Sequence, residues 1–97
     1  MKEKVILETV IESIKEVLEE FNEPTHDIKN DTVISGDGGI LDSLGLVSLI
    51  VKLEEIIFTG QGKDIQIVDE DVLLATIENP LRTPFRLTNL ILKKLDE

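Results

Sequence analysis

The sequence predicts an all-α fold: a small bundle of three long helices and one short one, with a long loop between the first two. Three observations predict it. Apolar residues recur at spacings of three and four in three separate segments, the periodicity of amphipathic helices. Asn22-Glu23-Pro24, Gly60 with Gly62, and Asn79-Pro80 punctuate the chain between them. The 97 residues, 41% hydrophobic against 31% charged, suffice for one core and leave no room for a second. A single domain spanning residues 1–97 is therefore expected. Phe21, Phe58 and Phe85 are the only aromatic residues, so the core must be aliphatic.

The first helix is predicted over residues 3–21, where Ile6, Leu7, Val10, Ile11, Ile14, Val17, Leu18 and Phe21 recur and glutamates fill most gaps. Asn22 and Pro24 end it. Residues 22–42 form a polar connection, with Ile28, Val33 and Ile34 as anchors to the core. A loop of this length in a small domain is often functional. The second helix is predicted over residues 43–58, closed by Gly60 and Gly62, and a short extended piece follows around Ile65 to Val68. Asp69 is placed to cap a short helix over 70–77, with Glu70 and Asp71 in a first turn that favours acids. Thr83-Pro84 starts the last helix, with threonine as N-cap and proline in the first helical position. That helix carries Phe85, Leu87, Leu90, Ile91 and Leu95, and Lys93 and Lys94 suit its final turn.

Charge narrows the function. Twenty acidic residues against ten basic give a net charge of −10. Nucleic-acid binding needs a cationic surplus to neutralise phosphates, which this chain lacks. An acidic body suits basic protein partners by electrostatic steering, or simply keeps the chain soluble. With no cysteine there is no disulfide framework, thiol nucleophile or cysteine-based metal site. The N-terminus shows no apolar signal region, and no stretch reaches the ~18 apolar residues of a membrane span. A cytoplasmic monomer without membrane insertion is expected.

The second helix is the informative one. On a wheel, Leu46, Leu49, Ile50, Leu53 and Ile57 form the core face. Leu44, Ser48, Val51 and Glu55 fall opposite, with Val47 and Glu54 flanking. Leu44, Val47 and Val51 then either form an exposed docking strip bordered by acids or pack beneath the long loop or the short helix. Ser43, ahead of this run, is a natural N-cap. A helix N-terminus also stabilises a phosphate, so a phosphorylated group on Ser43 would be well held there.

Asp42-Ser43-Leu44, followed by Val47, Leu49 and Leu53-Glu54-Glu55, resembles the signature of acyl carrier proteins, in which Asp-Ser-Leu opens the second helix of a four-helix bundle. The order of elements is similar over nearly the whole chain. The resemblance implies an acyl-carrier-like four-helix bundle that catalyses nothing itself. It implies that Ser43 is the attachment point of 4′-phosphopantetheine, whose thiol carries acyl or aminoacyl groups as thioesters. Asp42 would help place the hydroxyl in the complex with a phosphopantetheinyl transferase. Leu44, Val47, Val51, Glu54 and Glu55 would meet partner enzymes with basic surfaces: a loading ligase and an acyltransferase or synthase. The missing cysteine then matters little, since the reactive sulfur arrives on the arm.

Gly45 and Ser48 stand where fatty-acid carriers usually have acids. Residues 39–47, Gly-Ile-Leu-Asp-Ser-Leu-Gly-Leu-Val, look closer to D-alanyl carrier proteins and other specialised carriers, which favours a dedicated lipid, polyketide or cell-envelope pathway. Two other readings stay open: an unmodified acidic adaptor with a carrier-like fold, and, ranked last, a minimal hydrolase using Ser43, His26 and Asp42. Gly36-Asp37-Gly38-Gly39 lacks the Gly-Lys-Ser/Thr of a phosphate-binding loop, and Asp27 to Asp42 lacks calcium-loop spacing, so no metal ligands are assigned.

Overall fold

The computed structural model describes residues 3–24, 27–70, 72 and 79–96. Among these it contains three helices and no strand: α1, Glu3–Glu20; α2, Ser43–Gln61; and α3, Pro84–Leu95. α1 packs against both α2 and α3. Its inward face of Ile6, Val10, Ile14, Val17 and Leu18 is buried, as the three-and-four spacing predicts. Leu49, Leu53 and Ile57 of α2 and Leu87 and Ile91 of α3 complete the helical part of the core. Ile28, Ile34, Leu41, Ile65, Ile67, Val72 and Leu81 fill the remainder from outside these three helices. The radius of gyration is 12.5 Å, the ~12.5 Å expected of a globule of this length.

The ends of the helices are set by local chemistry. α1 stops where Asn22 adopts a left-handed conformation at φ 56°. There the Asn22 N–H donates to Glu19 O and the Glu23 N–H to Leu18 O, which is a complete Schellman closure. α2 runs three residues beyond the expected end at 58. Gly60 stays helical, and the left-handed closing residue is Gly62 (φ 66°), whose N–H donates to Phe58 O at 2.8 Å. α3 begins as expected: Thr83 Oγ1 accepts from the Arg86 N–H at 3.2 Å and Pro84 follows it.

The long loop is pinned by backbone groups. Ile34 N–H donates to Arg82 O at 2.7 Å and Phe85 N–H to Asn30 O at 2.9 Å, while the Ser35 hydroxyl donates to Leu81 O. Ile28 and Ile34 are buried anchors, as expected, and Val33 is half-buried. Gly36-Asp37-Gly38-Gly39 forms a tight turn closed by Gly39 N–H to Gly36 O at 3.0 Å. A Cβ on Gly39 would lie 2.8 Å from the Ser35 backbone, so the turn requires glycine there.

The expected short helix falls mostly outside the described residues. Of residues 70–77 only Glu70 and Val72 are described, both helical. Asp69 Oδ1 accepts from Val72 N–H at 3.0 Å, the contact expected of an N-cap. Asp71 and His26 also lie outside the described residues. Phe21 and Phe85, assigned above to apolar helix faces, are exposed instead, and the core is wholly aliphatic. No helix among the described residues is long and apolar enough to cross a membrane.

Candidate functional site

Leu41, Asp42 and Ser43 pass from the core to the surface in three residues. Leu41 is buried against the aliphatic cluster, and Asp42 and Ser43 are exposed. The N-cap of α2 is Asp42, not Ser43: its backbone is extended (φ −83°, ψ −175°) and its Oδ1 accepts from Gly45 N–H at 2.8 Å. Leu46 N–H then donates to Asp42 O, the first bond of the helix ladder. Burial of Leu41 decides the register, because it holds residue 42 at the point where the chain turns into the helix. Ser43 is thereby the first helical residue, and its hydroxyl is not consumed in capping. Its side chain makes no hydrogen bond among the described residues. It is an exposed, unactivated hydroxyl at the positive end of a helix, suited to holding a phosphoryl group and in need of an external base to react.

Gly45 has a local explanation. A Cβ there would lie 3.3 Å from Asp42 Oδ1 and 3.3 Å from Leu41 Cδ2, tighter than most side-chain contacts. The missing side chain lets the cap and the buried leucine close over the first turn.

α2 exposes the predicted strip. Leu44, Val47 and Val51 are 71%, 60% and 49% exposed, so they do not pack beneath the loop. Phe58, 57% exposed, prolongs the strip. From Leu44 to Phe58 it runs 14 residues along one side of α2, ~21 Å at 1.5 Å per residue. Phe58 is not among the residues expected on the strip, yet its seven-residue spacing from Val51 places it beside Leu44 and Val51. Val51, Glu54, Glu55, Phe58, Thr59 and Asp64 line an open depression at the C-terminal end of the strip. Glu55 is exposed, whereas Glu54 is half-buried and its Oε2 accepts from Ile67 N–H at 2.9 Å. Glu54 therefore tethers the chain after α2 as well as contributing charge to the rim.

Behind the strip, Lys52 Nζ lies 2.8 Å from Glu20 Oε1 and 3.3 Å from Glu16 Oε2, bridging α2 to α1. The hydrogen bond to Glu20 raises the Lys52 pKa above its ordinary value, outweighing the partial burial that lowers it. Among the described residues, no group of three or more His, Asp or Glu side chains is gathered as a metal site. No protein-family model matches the sequence, and neither a curated protein nor a solved structure matches it.

Proposed function

We propose that this protein is a carrier that holds acyl or aminoacyl groups as thioesters on a 4′-phosphopantetheine arm joined to Ser43. The observation that supports this reading most is the placement of Ser43. It is exposed and free of capping duty at the N-terminus of α2, one residue after Asp42 and beside the apolar strip of Leu44, Val47 and Val51. The arm would supply a thiol that the chain itself does not contain. The residues fit such a group: a phosphodiester on Ser43 would sit at the positive helix end, and no described side chain bonds to the hydroxyl. Asp42 fixes the turn that presents it. Leu44, Val47, Val51 and Phe58, with Glu55 and part of Glu54, would meet basic, partly apolar enzyme surfaces: the transferase, a loading ligase and an acyltransferase or synthase. A short helix over residues 70–77 would complete a four-helix carrier bundle, working in the cytoplasm in a specialised lipid, polyketide or cell-envelope pathway.

Incubation with coenzyme A, Mg²⁺ and a phosphopantetheinyl transferase should add the mass of one arm, and Ser43→Ala should abolish the gain. Wild-type protein that stays unmodified with several transferases overturns the reading. An unmodified acidic adaptor is the second reading, favoured by the extension of the strip to Phe58, well away from Ser43. Equal capture of the same partner by wild type and Ser43→Ala, with no modified form in native protein, would establish it.

A further inference from the structure

A groove of about 260 Å³ runs along the seam between α1 and α2, beside Ile56 and so ~20 Å along α2 from Ser43. Glu8, Glu12 and Glu16 stand along it at four-residue intervals, ~6 Å apart on the helix axis. Like charges at this spacing repel, so α1 carries a standing strain that a cation would relieve. No lysine or arginine lines the groove. Glu8 makes no ion pair among the described residues, and Glu12 has only Lys15 at 4.0 Å, with both side chains open to solvent. Ser13 lies on the floor, and the residue is only 2% exposed. One turn earlier the Thr9 hydroxyl donates to Val5 O at 2.8 Å, but the Ser13 hydroxyl makes no hydrogen bond among the described residues. Nor is it sealed in as the unpartnered Thr88 hydroxyl is, so it faces the groove.

The three carboxylates are strung out in a line rather than gathered around one point, which does not suit a single metal ion. Val5 and the half-buried Ile56 are the apolar residues on the groove, too little for the ~800 Å² per partner of a stable protein interface. A row of cations on a thin hydrocarbon chain matches both the line and the width. The fold already holds one alkylammonium in this way: Lys52 Nζ sits between Glu16 and Glu20, the next pair on the same helix. We propose that the groove binds a linear aliphatic oligoamine whose ammonium groups are separated by about four carbons. Such a spacer is ~6 Å long when extended, the interval between successive glutamates. One ammonium bridges Glu8 and Glu12. The next bridges Glu12 and Glu16 and donates to Ser13 Oγ, while the methylenes lie against Val5 and Ile56. No part of this depends on Ser43, so it stands apart from the carrier reading.

The test titrates full-length ¹⁵N-labelled protein with 1,4-diaminobutane and spermidine, using n-butylamine and Mg²⁺ as controls. Ionic strength is held constant, because a chain of net charge −10 attracts any cation. Both oligoamines should shift the backbone amides of Val5, Thr9, Ser13 and Ile56 saturably, and bind at least about tenfold tighter than n-butylamine. Glu12→Gln should weaken spermidine about tenfold or more. Ser13→Ala should weaken it severalfold, and Glu55→Gln, on the exposed strip, should leave it unchanged. Circular dichroism checks that each variant keeps its helices, and Glu8→Gln replaces Glu12→Gln if that variant does not. Shifts spread over the acidic surface without saturation, the same pattern from Mg²⁺, or wild-type affinity in the glutamate variant would overturn the proposal. Equal binding of n-butylamine and 1,4-diaminobutane would overturn it as well.

Discussion

Asp42 and Ser43 are adjacent residues that both rank among favoured N-caps, and the structure separates their duties. The Asp42 carboxylate takes the Gly45 N–H, while the Ser43 hydroxyl takes nothing among the described residues. Removing a cap typically costs about 0.5–2 kcal/mol. Asp42→Ala should therefore lower the unfolding free energy by about 1 kcal/mol, whereas Ser43→Ala should leave it nearly unchanged. Urea unfolding of both variants measures this. Equal destabilisation by Ser43→Ala would mean that the serine shares the cap in solution. The distinction was not legible in the sequence, because cap preference alone ranks both residues highly. It is decided by Leu41, whose burial in the core fixes where the chain must turn. Gly45 shows the same dependence on tertiary context: its bare Cα reads as a helix-weakening residue, yet it leaves space that Leu41 and Asp42 fill.

At the scale of the helices, periodicity carried most of the information. The inward faces of α1 and α2 follow from residue spacing, whereas spacing left Leu44, Val47 and Val51 either exposed or covered by the loop or short helix, and the fold leaves them exposed. Helix ends were less legible. Glycine reads as a stop, but Gly60 is accommodated in the last turn, and the left-handed conformation that closes α2 falls on Gly62. A Cβ on Gly62 would meet nothing within 4 Å, so the penalty for Gly62→Ala is conformational rather than steric crowding. The left-handed conformation costs an L-residue roughly 1–2 kcal/mol, and Gly62→Ala should lose stability by about that amount. Loss of helical signal should be confined to the last turn of α2, which hydrogen exchange at Phe58 to Gln61 would report. Unchanged stability would place the end of the helix elsewhere. The strip's last member depends on the same extension, since Phe58 keeps its place beside Val51 only while this turn is helical.

Over the whole molecule, the connections hold what the helices leave open, and this was the least legible level. The long loop docks onto residues 79–85 through backbone amides and carbonyls, which every sequence carries and none advertises. Side chains add ties of their own: the Ser35 hydroxyl to Leu81 O, Glu54 to the Ile67 N–H, Lys94 with Asp69 joining α3 to the chain after α2, and Lys52 with Glu16 and Glu20 joining α2 to α1. In a chain of net charge −10, a lysine set between two helices also relieves repulsion among the acids around it. The Lys52 side chain is 25% exposed and both glutamates are more than half exposed, so solvent and salt weaken each pair towards ~0–1 kcal/mol. Because the folded pKa of Lys52 is raised, chiefly by Glu20, its charge stabilises the fold fully below the unfolded lysine pKa, about 10.4. That contribution is lost as pH rises through the higher folded value. Lys52→Met keeps the aliphatic stem and removes the charge. The stability gap between wild type and Lys52→Met should hold steady at neutral to mildly alkaline pH. It should close as pH passes above about 10.4, as followed by urea unfolding at a series of pH values. A gap that persists through the alkaline range would show that packing of the lysine stem, rather than its charge, ties α2 to α1.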